Sequence, residues 1–453
     1  MTPPQAPAPS LTRSLGRVDV TAQAVASIGL TLTAVINIPE AARHSGHATA
    51  LSYALALVVV LLVAETLVLF RHQRALSSGI AGYIAESLGR WPGALATWSL
   101  LLGYAGAMLA CLVYFGFYLN HALAMLGLAP IPLAGFVIGG FGCLELARRD
   151  VGVSTRTMLV SEAISVLIVL GLCVLILRRG GASADLAALS PLGDTPSQVR
   201  AGLMVAVLSF IGFESAATLG EETPRPERTV PLAIRLSVLF SGVLFLTWSV
   251  LLIEGLDWLS PAERLGLDPI ALLAVRLGDA SGGDWIRAGA FLCLFGSTLA
   301  SLTALGRVAY DLARRGILPA PLARIHPRFH TPSNALVATT LPLLLVGAAL
   351  ELQHLSVSQL FDQLGGFTVL AFLLVYGLVA ASALLRNLPQ VSRTRRMLVG
   401  AASLTAVVAV AAGFLWSVVG SQNQMLLCFL LLLGVGVVLV SLPRPEDRPD
   451  AAG

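Results

Sequence analysis

The sequence contains no lysine: all 29 basic side chains are arginines. Any mechanism that needs a titrating lysine amine is therefore excluded. Charge of either sign is scarce, at 12% of residues, about half the ~25% usual for soluble domains. Cysteine is scarce as well. The five, Cys111, Cys143, Cys173, Cys293 and Cys428, are odd in number and all lie in apolar runs. They read as small core hydrophobes rather than as a disulfide framework or a metal site. The seven histidines show no HExxH spacing, and no GxSxG or paired-aspartate motif stands within an apolar run, so neither an enzyme nor a bound metal or cofactor is expected.

What fills the chain instead is apolar. Of 453 residues, 56% are hydrophobic, and the mean hydropathy is +0.83. Surface-to-volume scaling leaves a soluble globule too little interior to hide that much apolar surface. The pI near 9.0 does not point to nucleic acid, because the arginines fall in short segments between apolar runs. The expected partner is the lipid bilayer. Runs long enough to cross a ~30 Å hydrocarbon core occur near Ala22–Ala42, Leu51–Phe70, Leu95–Leu119, Ile131–Ala147, Met158–Leu177, Ala201–Gly220, Pro231–Ile253, Ile286–Tyr310, Ala335–Leu350, Leu360–Leu385, Leu398–Val418 and Met425–Leu442. Backbone groups in lipid must be satisfied within the segment, so these are helices. The reading is an all-α polytopic membrane protein of about twelve helices.

With the N-terminus inside, 22 arginines fall in inner segments and 7 in outer ones, so both termini face the cytoplasm by the positive-inside rule. Residues 1–20 lack the apolar stretch and cleavage site of a signal peptide and read as a cytoplasmic tail, as do residues 443–453. Arg178 and Arg179 are the local exception to the rule. Trp91, Trp98, Trp258 and Trp285 lie at or near expected helix ends, as an aromatic belt would place them. The long outer loop Glu254–Asp284 is acidic. It reads as a solvated loop, or as a weak attraction for cations at the outer mouth.

Carboxylates within spans are costly to insert, so they are the first places to seek function. Glu65 either snorkels or pairs locally with Arg71 and Arg74. Glu162 either pairs with Arg156 or faces a cavity. Glu214 is the strongest candidate, midway along the sixth span in Ser209-Phe210-Ile211-Gly212-Phe213-Glu214-Ser215. Gly212 weakens the helix there, and Ser209 and Ser215 divert backbone hydrogen bonds. A break in mid-membrane is tolerated where it is buried in protein or lines a cavity. Broken half-helices turn amides toward an anion and carbonyls toward a cation. The first span carries a partner signal, Ser27-Ile28-Gly29-Leu30-Thr31-Leu32-Thr33 with Asn37 and Pro39. Interrupted segments at corresponding places in two halves point to a transporter site. Two charged inner segments, Glu221 to Pro231 and Gly306 to Pro319, are candidates for an inner gate or plain charged loops, and Arg307 and Asp311 are spaced to pair on one helical face.

Two of these motifs carry a resemblance. Phe210 to Ala216, with Glu221-Glu222 and the Pro-Arg segment to Pro231, and Arg307 to Pro319 continuing to Thr331-Pro332, are similar to the sixth and eighth helices of the amino acid–polyamine–organocation superfamily of secondary transporters. The sixth helix resembles that of the arginine/agmatine antiporter in particular. The resemblance implies a leucine-transporter-like fold of two inverted five-helix repeats, here 21–179 and 197–386, plus two further helices in 397–442. It implies alternating-access transport of an amino acid, amine or related small solute across a bacterial cytoplasmic membrane. Proton coupling is expected, with obligate exchange and a non-transporting substrate sensor as alternatives. The substrate would lie between the broken first and sixth helices, at Ile28, Gly29, Thr31, Thr33, Leu208, Phe210, Ile211 and Gly212. The carbonyls of Phe210 and Ile211 would face a substrate amine, and Leu208 stands where the antiporter has a capping aromatic. Glu214 and Glu162 would be coupling or gating carboxylates, and Ser297, Thr298 and Ser301 a possible cation site. The family's Gly-Ser-Gly in the first helix aligns with Leu32-Thr33-Ala34, which lacks the glycines; this moves the expected break toward Gly29.

Overall fold

A computed structural model describes residues 11–72, 79–149, 151–180, 195–278, 280–353, 355–419 and 423–441. Most of both tails, and with them Arg74, Asp279, Arg444 and Arg448, lie outside the described residues. Among the described residues the chain is helical throughout, with no strand. Ten helical runs are long and apolar enough to cross a membrane. One of them, Arg17–Leu69, is divided at Gly46 (φ 55°) and supplies the first two expected spans. The remaining nine runs supply nine more. The fourth expected span is shorter than the rest: a six-residue π-helix, Gly135–Gly140, runs into the nine-residue α7 (Phe141–Arg149).

In chain order the other helices are α1 (Arg17–Ile28), α2 (Leu30–Leu32), α3 (Ile38–Ser45), α4 (Thr49–Leu69), α5 (Ile80–Leu88), α6 (Arg90–Met125), α8 (Val151–Gly180) and α9 (Pro196–Phe210). They continue as α10 (Pro226–Leu256), α11 (Pro261–Arg264), α12 (Pro269–Leu277), α13 (Ala280–Arg314), α14 (Ser333–Glu351), α15 (Val357–Leu385), α16 (Arg393–Val418) and α17 (Asn423–Ser441). The core is built around α6, which packs along both α13 and α15, with α13 also packed against α8. Small residues allow the close approach. A Cβ on Gly103 would lie 2.7 Å from the Phe372 ring, and one on Gly306 2.3 Å from Leu336. By contrast α16 and α17 turn most of their surface outward, with Leu398, Trp416 and Leu431 exposed, as lipid-facing helices do.

Several expectations are corrected by these contacts. The Glu254–Asp284 segment is not simply a solvated loop. It folds into α11 and α12, whose Ile270, Ala271 and Leu273 are buried. Asp268 is ion-paired to Arg287 at 2.7 Å, and its carboxyl is pushed above the usual range because burial disfavours the charge. Arg179 donates to the Arg276 carbonyl at 2.8 Å, in the last turn of α12, where a cation suits the helix dipole. Trp98 is not a belt residue: it is buried, and its indole N–H donates to the Leu432 carbonyl of α17 at 2.9 Å. Cys428 is exposed, unlike the other four cysteines. Glu65 pairs not with Arg71 but with Arg235 of α10 (2.6 Å) and Arg395 of α16 (3.0 Å); Arg74 lies outside the described residues.

Candidate functional site

The first and sixth spans are both broken at mid-length. In the first, Gly29 adopts φ 69° and ψ 74° between α1 and α2. This left-handed conformation is disfavoured for residues with a Cβ. A Cβ at this position would also meet Ser297 Oγ at 2.8 Å. In the sixth, α9 ends at Phe210, Ile211 turns extended and Gly212 takes φ 122°. The chain resumes as a 3-10 helix over Phe213–Glu222. The two breaks touch backbone to backbone: a Cβ on Gly212 would lie 2.5 Å from the Ser27 carbonyl group and 2.8 Å from the Ile28 nitrogen.

A small cavity of about 50 Å³ lies at the junction. Of the residues assigned above to the substrate and cation sites, it is lined by Ile28, Leu208, Ile211, Ser297 and Ser301. The others do not line it. Phe210 is turned against Phe245, ring centroids 5.0 Å apart. Thr31, Thr33 and Thr298 are buried with hydroxyls that have no partner among the described residues. Gly29 and Gly212 supply the close contacts just described. Cavity residues not singled out as a site include Asn37, Cys111, Phe361 and Thr368. Asn37 falls at the end of a π-helical turn, Thr33–Asn37, which no local pattern announces. Phe361 supplies an aromatic ring to the same cavity as Leu208.

Both candidate carboxylates are buried at the breaks, outside the cavity wall. Glu162 of α8 does not pair with Arg156. Its Oε1 accepts the Leu30 N–H at 2.6 Å, the Thr31 amide also faces it, and Oε2 has no hydrogen-bond partner among the described residues. Next to it, Cys293 Sγ accepts the Leu32 N–H at 3.3 Å. Glu162 thus caps the N-terminus of the second half of the first span, where the helix dipole favours an anion. Glu214 caps the corresponding end of the sixth. Its Oε2 accepts from Gly212 N at 3.0 Å and Tyr376 Oη at 2.7 Å, and Oε1 from Tyr104 Oη at 3.0 Å. The two tyrosines come from α6 and α15, far away in sequence.

The two ends of the bundle differ. At the end where α1 begins, Arg307 is paired bidentately with Glu222 (2.6 and 3.0 Å), not with Asp311. Asp311 pairs with Arg315 instead. The pair is almost wholly removed from solvent, at 1% and 4% side-chain exposure. Leu15 N–H donates to the Glu222 carbonyl, and Gln23 to the Ala300 carbonyl. These bonds tie the first, sixth and eighth spans together and shut that end. At the other end a vestibule of about 290 Å³ opens among Glu40, His44, Arg200 and Asp362. Asn37, Leu208 and Phe361 line both the vestibule and the central cavity and so separate the two.

A profile of the amino acid permease family matches residues 15–440. The chain belongs to this family. The permease is 28% identical over 405 residues to an uncharacterized transporter of Mycobacterium tuberculosis, covering 86% of this chain and 83% of the relative. It is 25% identical over 453 residues to the methylthioribose transporter of Bacillus subtilis, covering 96% and 94%. Among solved structures, MhsT in complex with L-phenylalanine superposes with a TM-score of 0.57 at 16% identity, over 89% of the permease and 99% of MhsT. The fold is that of the leucine transporter, and the permease is a multi-pass secondary transporter.

Proposed function

We propose that the permease carries a small amine, amino acid or related solute across a bacterial cytoplasmic membrane, with both termini cytoplasmic, in symport with a proton held by Glu162. The repeats then run over 21–179 and 197–386, and the solute sits in the cavity between Ile28, Leu208, Ile211, Ser297 and Ser301. The likeness to a methylthioribose transporter fits a solute range wider than amino acids. The vestibule would be the outer mouth and the Glu222–Arg307 pair the closed inner end.

One observation carries the coupling. Glu162 caps a hinge amide with one oxygen and leaves the other buried and unpartnered. A lone buried carboxylate oxygen is costly when ionised and accepts a proton without breaking an existing bond. Protonation weakens the anionic cap on α2 and so alters how α1 and α2 meet at Gly29. Glu214 is the opposite case: both its oxygens are engaged, which suits holding the sixth-span break in one shape.

The test is uptake of labelled amino acids and amines into proteoliposomes, with and without an inward proton gradient. The expected result is gradient-driven accumulation in the wild type, and gradient-independent equilibration in Glu162→Gln. Uptake that ignores the gradient but requires a preloaded lumen would replace symport with exchange.

A further inference from the structure

The backbone at the two breaks can be accounted for group by group. A helix leaves its first four N–H groups without internal partners, and these form a natural anion site. In the second half of the first span three of these four are taken within the protein and the remaining one lies beside a carboxylate. Leu30 N–H goes to Glu162, the Thr31 amide faces the same carboxylate, Leu32 N–H goes to Cys293 Sγ and Thr33 N–H to the Gly29 carbonyl at 3.1 Å. In the sixth span, Gly212 N–H goes to Glu214 and Ser215 N–H to the Gly212 carbonyl at 2.9 Å. Both positive helix ends are thus already met by carboxylates of the protein, and no arginine or histidine lines the cavity.

The groups facing the solute have the opposite character. The cavity wall holds Ser27 and Ile28 from the last turn of α1, and Leu208 and Ile211 from the end of α9. These are two helix C-termini, each carrying a partial negative charge. Asn37 adds to them. Ser209 donates its one proton to the Val205 carbonyl (2.9 Å), so its oxygen accepts from both Tyr53 Oη (2.9 Å) and Asn37 Nδ2 (3.1 Å). That fixes the Asn37 amide with its nitrogen on Ser209. The atom left over is Oδ1, an acceptor that is buried and unpartnered, on a residue that lines the cavity.

We infer that the transported solute is a hydrogen-bond donor without a free carboxylate, a small primary amine above all, received by Asn37 Oδ1 and the carbonyl ends of α1 and α9. The inference rests on the transporter reading above and narrows its solute class. A carboxylate in this cavity would find no cation, and both positive helix ends beside it already face carboxylates of the protein; a buried unpaired anion is strongly disfavoured. An ammonium group finds Asn37 Oδ1, the carbonyl ends of the two helices and the hydroxyl oxygens of Ser297 and Ser301.

The test uses the full-length protein in proteoliposomes and matched pairs of solutes: leucine against isopentylamine, valine against isobutylamine, and alanine against ethylamine. Initial uptake of each is measured at equal concentration. The expected result is at least tenfold faster uptake of the amine in the pairs that are carried, and loss of that preference in Asn37→Leu. Faster uptake of the amino acid in every carried pair overturns the inference while leaving the transporter reading intact. So does an Asn37→Leu protein that carries the amine with an undiminished preference. No uptake of either member of any pair, in any gradient or preload, counts against the transporter reading itself.

Discussion

Neutralising Glu222 should open the closed end of the bundle. The Glu222–Arg307 pair is almost fully buried, and Arg307 has one further partner, the Thr303 carbonyl at 2.9 Å. Glu222→Gln leaves a buried guanidinium facing a neutral amide. Removing one member of a buried pair costs about 3–5 kcal/mol, because the other charge stays uncompensated. The cost falls on the closed state alone, since opening that end hydrates Arg307. At about 1.4 kcal/mol per tenfold, the open population rises by roughly 100- to 4,000-fold. The protein contains its own reporter, for Cys111 lines the central cavity. In a Cys428→Ser background, which removes the exposed thiol, the rate of Cys111 alkylation by a polar maleimide reads that population. Arg307→Met combined with Glu222→Gln leaves no buried charge, so the double variant should label more slowly than Glu222→Gln alone. The nearby Glu221–Arg314 pair is 20% and 39% exposed, and a surface pair contributes about 0–1 kcal/mol; Glu221→Gln should change the rate by less than about fivefold. Labelling of Glu222→Gln within fivefold of wild type, or indistinguishable from Glu221→Gln, would refute the reasoning.

Three further outcomes follow from the same contacts. Gly212→Ala should abolish uptake, because its Cβ would fall 2.5 Å from the Ser27 carbonyl group at a φ of 122°; uptake near the wild-type rate would contradict the packed break. Tyr376→Phe removes one of three donors to Glu214 and should lower stability in a thermal melt by about 1.5–3 kcal/mol, the range for hydrogen bonds to a charged group. Ser260 holds the Glu263 carboxyl below its ordinary range through hydrogen bonds from its hydroxyl and amide. A depressed folded value stabilises the α11 cap above the ordinary carboxylate pKa and loses that contribution as pH falls through the lowered one. Hydrogen exchange over 260–266 should therefore show reduced protection between about pH 5 and pH 3, and a Glu263→Gln protein should not show the change.

Much of this architecture can be read from the chain because its signals are local. Apolar runs announce spans, and Gly212 between Ser209 and Ser215 announces a break. Gly29 is less evident, since its break depends on Ser297 leaving no room for a Cβ. What escapes is everything decided by partners distant in sequence. Glu65 has two arginines close by in the chain, yet its partners are 170 and 330 residues away. Arg307 and Asp311 have ideal helical spacing, yet Arg307 pairs with Glu222, 85 residues away, and Asp311 takes Arg315 on its other side. The short-range rule is worth a few tenths of a kcal/mol, which a buried bidentate contact outweighs. Tyr104 and Tyr376 look like ordinary span aromatics until the fold brings both to Glu214. The cavity role of Asn37 depends on the proton of a serine 172 residues away.

The contact between Gly212 and the Ser27–Ile28 peptide has a consequence for how such a transporter diversifies. The first and sixth spans meet there through main chain, which is the same whatever side chains surround it. That contact is therefore insulated from the residues that line the cavity. On the transport mechanism proposed above, Leu208, Phe361 and Thr368 can be exchanged to admit another solute while this contact keeps its dimensions. The reverse does not hold: a single methyl group at residue 212 reaches every solute the cavity has been shaped to accept.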